Sequence, residues 1–169
     1  MYNFSIIIPL YNESKRLPNL TLKLSEYLKN FEFNYELILV DDGSEDDTLE
    51  IIKSFQQTNK KIKIVSGLHI GQFHSIIKGV KNAIYDYSII LEGDLSADPK
   101  YLSKMIRYLP EYDLITGTRY LNSSKVSHKS ISRDLLSKIF MFLFVILFKS
   151  KLSDLQFSFK IYKNAYFLD

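Results

Sequence analysis

Short apolar runs alternate with longer stretches of helical spacing along most of this chain. Residues 4–9 read FSIIIP, continuous apolar character over the length of a strand. Leu17, Leu20, Leu24, Tyr27 and Leu28 then recur at helical intervals, which predicts a helix over 17–28, and ELILV at 36–40 predicts a second strand. The series continues with a helix over 46–55, a strand over 62–65, a helix over 73–84, a strand over 87–91, a helix over 100–108 and a strand over 114–116. The order βαβαβαβαβ implies an α/β fold with a mostly parallel sheet and helices on both faces. In such sheets ligands sit at the carboxyl ends of the strands, near a reversal of strand order.

The pattern changes after Tyr120. Residues 121–132, LNSSKVSHKSIS, are polar and serine-rich and read as a loop. A helix over 132–149 follows, with Ser132 as its cap, and LQFSFKIY at 155–162 alternates as a half-buried strand.

Composition narrows the picture. At 169 residues with 46% hydrophobic content, residues 1–169 suit a single globular domain. The absence of cysteine excludes disulfides, thiolate metal sites and a cysteine nucleophile. No basic leader or long apolar core opens the chain, so the expectation is a mature start at Met1 without a secretory signal. The net charge is only +3, but Lys125, Lys129, Arg133, Lys138, Lys149 and Lys151 face the single acid Asp134 between 121 and 151, a net of +5 that leaves −2 elsewhere. These residues bracket IFMFLFVILF at 139–148, ten apolar residues, too few to span a bilayer as a helix. A buried helix and an interfacial membrane helix both fit.

If the sheet is parallel, four strand ends gather their polar groups on one edge: Pro9-Leu10-Tyr11-Asn12-Glu13, Asp41-Asp42-Gly43-Ser44, Glu92-Gly93-Asp94 and Gly117-Thr118-Arg119-Tyr120. Glu92 and Asp94 repel each other unless a cation or protons neutralise them. Mg²⁺ or Mn²⁺ suits two carboxylates when substrate phosphates complete the shell. A solvated loop with a helix start at Asp98-Pro99 is the competing reading. Asp42 suits a base N–H or a ribose hydroxyl, but an Asx turn and helix cap with Glu45, Asp46 and Asp47 fits as well. Pro9 and Tyr11 offer a wall for a base, although Pro9 also simply ends its strand. Gly71 before a helix suits a diphosphate or a plain turn. Arg119 suits a phosphate or an ion pair with the acids. His69, His74 and His128 show no metal-ligand spacing and receive no role.

The segments SIIIPLYNES, LILVDDGSEDDT, GQFHSIIKGVKNA, EGDLSADP, GTRY and, more loosely, DLQFSFKIYK follow one another over essentially the whole chain. In this order they resemble the family-two glycosyltransferases of GT-A fold, in particular the polyprenyl-phosphate sugar synthases such as dolichyl-phosphate mannose and glucose synthases. The resemblance implies a Rossmann-like sheet and assigns Pro9, Tyr11, Glu13, Val40 and Asp42 to the nucleoside of the donor. It makes Glu92 and Asp94, with Gly93 between them, the Asp-x-Asp pair that binds the metal and the donor diphosphate. Arg119 matches a phosphate-contacting arginine, so Asp94 and Arg119 are the implied catalytic residues. Lys125 and Arg133 match the part that approaches the acceptor phosphate. The implied reaction is a Mg²⁺- or Mn²⁺-dependent, inverting transfer of a hexose from GDP- or UDP-hexose to a polyprenyl phosphate. The implied setting is a membrane surface, peripheral at its cytoplasmic face, with no nucleic acid as partner.

The chain departs from the family pattern at Glu92, where an aspartate is usual, and at Ser158, which stands for a glycine after Phe157. It also ends before the family's last basic residues and membrane anchor. Three other readings stay open: a sister enzyme acting on a polysaccharide or glycan hydroxyl, an inactive nucleotide-sugar-binding remnant, and a phosphoacceptor signalling module. A hydroxyl acceptor would need a general base, whereas the basic residues between 125 and 133 favour an anionic acceptor. The signalling module fits less well, because the paired aspartates follow the second strand and no matching lysine lies late in the chain.

Overall fold

A computed structural model describes residues 2–94, 97–118, 139–142, 144–147, 154, 157 and 159–166. Arg119, Lys125 and Arg133, the loop expected over 121–132 and half of the helix expected over 132–149 lie outside them.

The first apolar run of the sequence becomes a central strand of the sheet. Strand β1 (Asn3–Leu10) pairs in parallel with β2 (Asn34–Asp41) over its whole length, from Asn3 opposite Asn34 to Leu10 opposite Asp41. Beyond β2 lies β3 (Ile62–Ser66), and on the other side of β1 lies β4 (Tyr87–Ile90), both parallel. Strand β6 (Lys160–Lys163) runs antiparallel to β4, and β5 (Leu114–Thr116) closes the edge, giving the order β3-β2-β1-β4-β6-β5. The chain winds outward from β1 through β2 to β3 and then returns to the other flank of β1 at β4. That reversal opens a crevice between the carboxyl ends of β1 and β4.

Helices α1 (Leu17–Lys29), α2 (Thr48–Thr58) and α3 (Gln72–Lys81) follow the first three strands, and a 3₁₀ turn at Pro99–Tyr101 leads into α4 (Leu102–Ile106). Helix α4 is shorter than the 100–108 expected from its spacing. Pro110 disfavours helical geometry at the residue before it, and the chain leaves the helix through turns.

The core under α3 joins Ile7, Ile38, Val40, Val65, Val80 and Ile90. Gly79 lets the helix press onto it, because a Cβ there would collide with Ile7 Cγ2 and lie 3.2 Å from Val40 Cγ2. Gly79→Ala is therefore expected to destabilise the fold by about 1–3 kcal/mol through overpacking, read as a lower urea midpoint at unchanged slope. An unchanged midpoint would mean that α3 does not sit this close to β1.

Residues Met1–Ile115 with Phe159–Asp169 form one compact unit, and Thr116–Ser158 form a second. In the second unit residues 139–142 and 144–147 are helical, and Ile139, Phe140, Phe142, Val145, Ile146 and Leu147 are exposed, so the buried-helix reading does not hold for these side chains. Among the described residues no helix is long and apolar enough to cross a membrane.

Candidate functional site

Two loops at the crevice are tied together by the polar run DDGSEDDT. Asn12 adopts a left-handed φ of 52°, which asparagine tolerates, and its amide N–H donates to Ser44 Oγ at 3.0 Å. In return its Oδ1 accepts the amide of Glu45 at 2.8 Å. The amide of Glu13 donates to Thr48 Oγ1 at 2.8 Å and that of Ser14 to Asp46 Oδ2 at 3.2 Å. Asp46 also accepts the amide of Thr48 at 3.0 Å, so the helix expected from 46 begins at Thr48.

These bonds make the loops acid-sensitive. Hydrogen bonds from Thr48 and then Ser14 hold the Asp46 carboxyl down at about 2. A group that titrates lower in the folded state stabilises the fold above its ordinary value of 3.8 and loses that contribution as the pH falls toward 2. Urea midpoints are expected to drop between pH 4 and 2.5, and Asp46→Asn to make the drop shallower. An equally steep drop in that variant would contradict the assignment.

Asp42, only 3% exposed, organises the third loop. Its Oδ1 accepts Ser75 Oγ at 2.8 Å and the amide of Ile70 at 3.3 Å, while Oδ2 accepts the amide of Gly71 at 3.0 Å and faces His69 Nδ1 at 3.0 Å. Burial pushes this carboxyl up, but the bonds from Ser75, Ile70, Gly71 and His69 outweigh it and hold the group below the ordinary carboxylate value. Gly43 makes the approach feasible: at φ 74° its position lacks room for a side chain, since a Cβ would lie 2.9 Å from the backbone nitrogen of His69. The imidazole of His69 in turn stacks on the ring of Tyr11, with centroids 3.8 Å apart and planes 16° from parallel.

His69 is the residue that the sequence reading passed over. Its signal was available, because it follows β3, a parallel strand whose carboxyl end falls on the same edge as the others. After the third strand the sequence offers Gly71 for a diphosphate or a plain turn, and the histidines are weighed only as metal ligands.

The remaining assigned residues divide between floor and rim. Pro9 and Val40 are opposite each other in register and both are buried, whereas Tyr11 is 37% exposed. Glu13 holds Arg16 Nη1 at 3.0 and 3.1 Å with its two oxygens. Gly93 brings the turn after β4 against the end of β1, where a Cβ would stand 3.0 Å from Leu10 Cδ2, 3.5 Å from Pro9 O and 3.8 Å from Glu13 Cγ. Glu92, half-buried, and the exposed Asp94 flank that contact. Asp98 caps the following turn through the Lys100 amide at 3.0 Å and pairs with Lys100 Nζ at 2.6 Å, so the helix-start reading holds for Asp98-Pro99.

Among the described residues no three His, Cys, Asp or Glu side chains gather to hold an ion by themselves. Two carboxylates beside a glycine still fit a hard cation that takes its other oxygens from a diphosphate and water.

The profile of Glycosyl transferase family 2 matches residues 5–169. The undecaprenyl-phosphate 4-deoxy-4-formamido-L-arabinose transferase of Proteus mirabilis is 36% identical over 121 residues, covering 70% of this chain and 37% of that protein. The enzyme of the same name from Photorhabdus laumondii is 35% identical over 138 residues, covering 80% of this chain and 41% of its own. The chain thus spans less than half the length of these curated relatives. Among solved structures, Mycobacterium tuberculosis glucosyl-3-phosphoglycerate synthase in complex with Mn²⁺, UDP and glucosyl-3-phosphoglycerate superposes with a TM-score of 0.68 at 15% identity, covering 97% of this chain and 57% of that one. The architecture is that of a GT-A glycosyltransferase.

Proposed function

This chain belongs to glycosyl transferase family 2, and from that membership we propose that it moves a hexose from GDP- or UDP-hexose to a polyprenyl phosphate, with inversion and with Mg²⁺ or Mn²⁺. The observation that carries the reading is the contact at Gly93, which sets Glu92 and Asp94 beside the loop holding Tyr11 and Glu13 at the crevice between β1 and β4. A phosphate-bearing nucleotide placed there meets aromatic and polar groups at one end and carboxylates at the other. Tyr11, Glu13 and Asp42 serve the nucleoside through the loops they order, and Pro9, Val40 and Gly93 set the depth of the floor beneath it.

A divalent cation held by Glu92 and Asp94 would supply charge neutralisation for the leaving nucleoside diphosphate. Arg119 serves a donor phosphate by bidentate bonding, and Lys125 and Arg133 serve the acceptor phosphate. A phosphate monoester is already ionised at neutral pH, so this chain needs no strong catalytic base, and positioning supplies much of the rate. Both relatives are undecaprenyl-phosphate sugar transferases by name, which supports the lipid acceptor, and the Mn²⁺ and UDP bound to the M. tuberculosis enzyme support the metal and the donor class. The exposed Ile139, Phe140, Phe142, Val145, Ile146 and Leu147, with the basic residues around them in the sequence, support work at a membrane surface, which this reading takes to be a cytoplasmic face. Residues 1–169 serve as one catalytic domain in this reading.

The test is a transfer assay with labelled nucleotide sugars, a pentose donor included because the relatives' sugar is an arabinose, offered undecaprenyl phosphate or a glycan hydroxyl. Label in the lipid phosphate is expected. Transfer to the hydroxyl acceptor alone would overturn the choice of acceptor, and transfer to neither would overturn the activity.

A further inference from the structure

Asp42 was the acceptor expected to read the donor's base, but its carboxylate is already filled. Two oxygens offer about four lone-pair directions, and Ser75, Ile70, Gly71 and His69 take four bonds on them in a place that is 3% exposed. What Asp42 does instead is fix its neighbour. An ionised carboxylate can only accept, so the shared hydrogen sits on His69 Nδ1, and whenever the imidazole carries a single proton the bare lone pair is on Nε2. The two ring nitrogens point in divergent directions, so with Nδ1 turned to the buried carboxylate Nε2 faces away from it, on a side chain that is 55% exposed. Stacking on Tyr11 holds the ring plane as well. The result is one oriented acceptor between two residues assigned to the nucleoside.

We propose that His69 Nε2 is the specificity-determining group of the nucleoside subsite, accepting the ring N–H of a base that carries one, uracil or guanine. Cytosine and adenine present an unprotonated ring nitrogen at that edge and would set lone pair against lone pair. The proposal deepens the donor-binding reading and rests on it. A base that lacks the donor forfeits one hydrogen bond and leaves a desolvated acceptor, a discrimination on the order of tenfold or more.

Calorimetric titration of the chain with UDP, GDP, CDP and ADP in MnCl₂ tests this. UDP or GDP is expected to bind at least about tenfold more tightly than CDP and ADP. His69→Asn keeps an N–H for Asp42 but no acceptor at the far edge, and should lose most of that preference, whereas His69→Gln, whose amide reaches about as far as Nε2, should recover part of it. A nitrogen-15 spectrum of the unliganded protein should show His69 protonated on Nδ1 and bare on Nε2. Equal binding of all four nucleotides, an unchanged preference in His69→Asn, or a proton found on His69 Nε2 would overturn the role of His69 while leaving the donor site standing. Binding of none of the four would overturn both.

Discussion

Asp94→Asn is expected to lower Mn²⁺-dependent binding of the nucleotide donor by roughly 100-fold and transfer by at least as much. The substitution keeps the size of the side chain and one oxygen but removes the charge that a hard cation selects. Glu92 cannot make up the loss alone. Its extra methylene moves its oxygens relative to the aspartate that the family usually carries, and it is half-buried where Asp94 is exposed. The pairing is unequal, and the shorter arm carries more of the claim. Calorimetry in MnCl₂ and in EDTA separates the two terms: the variant should bind donor as weakly in Mn²⁺ as the unaltered chain does in EDTA. Intact metal-dependent binding in Asp94→Asn would move the metal site elsewhere.

Asp42→Ala should have the largest effect on stability. The change strips the partner from Ser75 Oγ, the amides of Ile70 and Gly71 and His69 Nδ1 at once. Some of these donors reach water when the loop loosens, but Ser75 is 3% exposed and does not. Leaving buried donors unsatisfied costs about 1–3 kcal/mol each, so a total of roughly 3 kcal/mol is expected, or a fall in Tm of about 6–12 °C for a chain of this length. Asp42→Asn keeps one accepting oxygen and should recover part of it. The wall of the nucleoside subsite goes with the loop, because His69 loses its anchor and Tyr11 its stacking partner. A fall of less than about 1 kcal/mol would mean that the β3–α3 loop is held by something other than this carboxylate.

The parallel order was legible because buried parallel strands advertise themselves as unbroken apolar runs: ELILV and the run around Ile6 to Ile8 can hardly be read otherwise. The crevice followed from it, since the polar ends of β1, β2 and β4 share an edge of a parallel sheet, whereas Arg119 and Tyr120 of the fourth expected end lie outside the described residues. The division of labour among the acids was not legible. DDGSEDDT offers seven acidic or hydroxyl positions with similar chemistry, and only geometry shows that Asp46 closes the β1 loop, Asp41 accepts the Ser44 amide and Asp42 turns to the loop after β3. Hydrogen bonds between residues about thirty positions apart leave no periodic trace in a sequence. The partners of His69, Tyr11 and Asp42, are likewise distant along the chain, so its place after β3 is the one signal the sequence carries for it. The end of α4 was marked by Pro110 but outweighed by spacing.

The central claim is that the crevice between β1 and β4 holds a nucleotide sugar through a metal on Glu92 and Asp94. Titrating a panel of UDP- and GDP-sugars into the chain, in MnCl₂ and then in EDTA, tests it most directly. At least one donor should bind saturably at one site in Mn²⁺ and at least about tenfold more weakly in EDTA. Failure of every donor to bind, or equal binding with and without the metal, would contradict it.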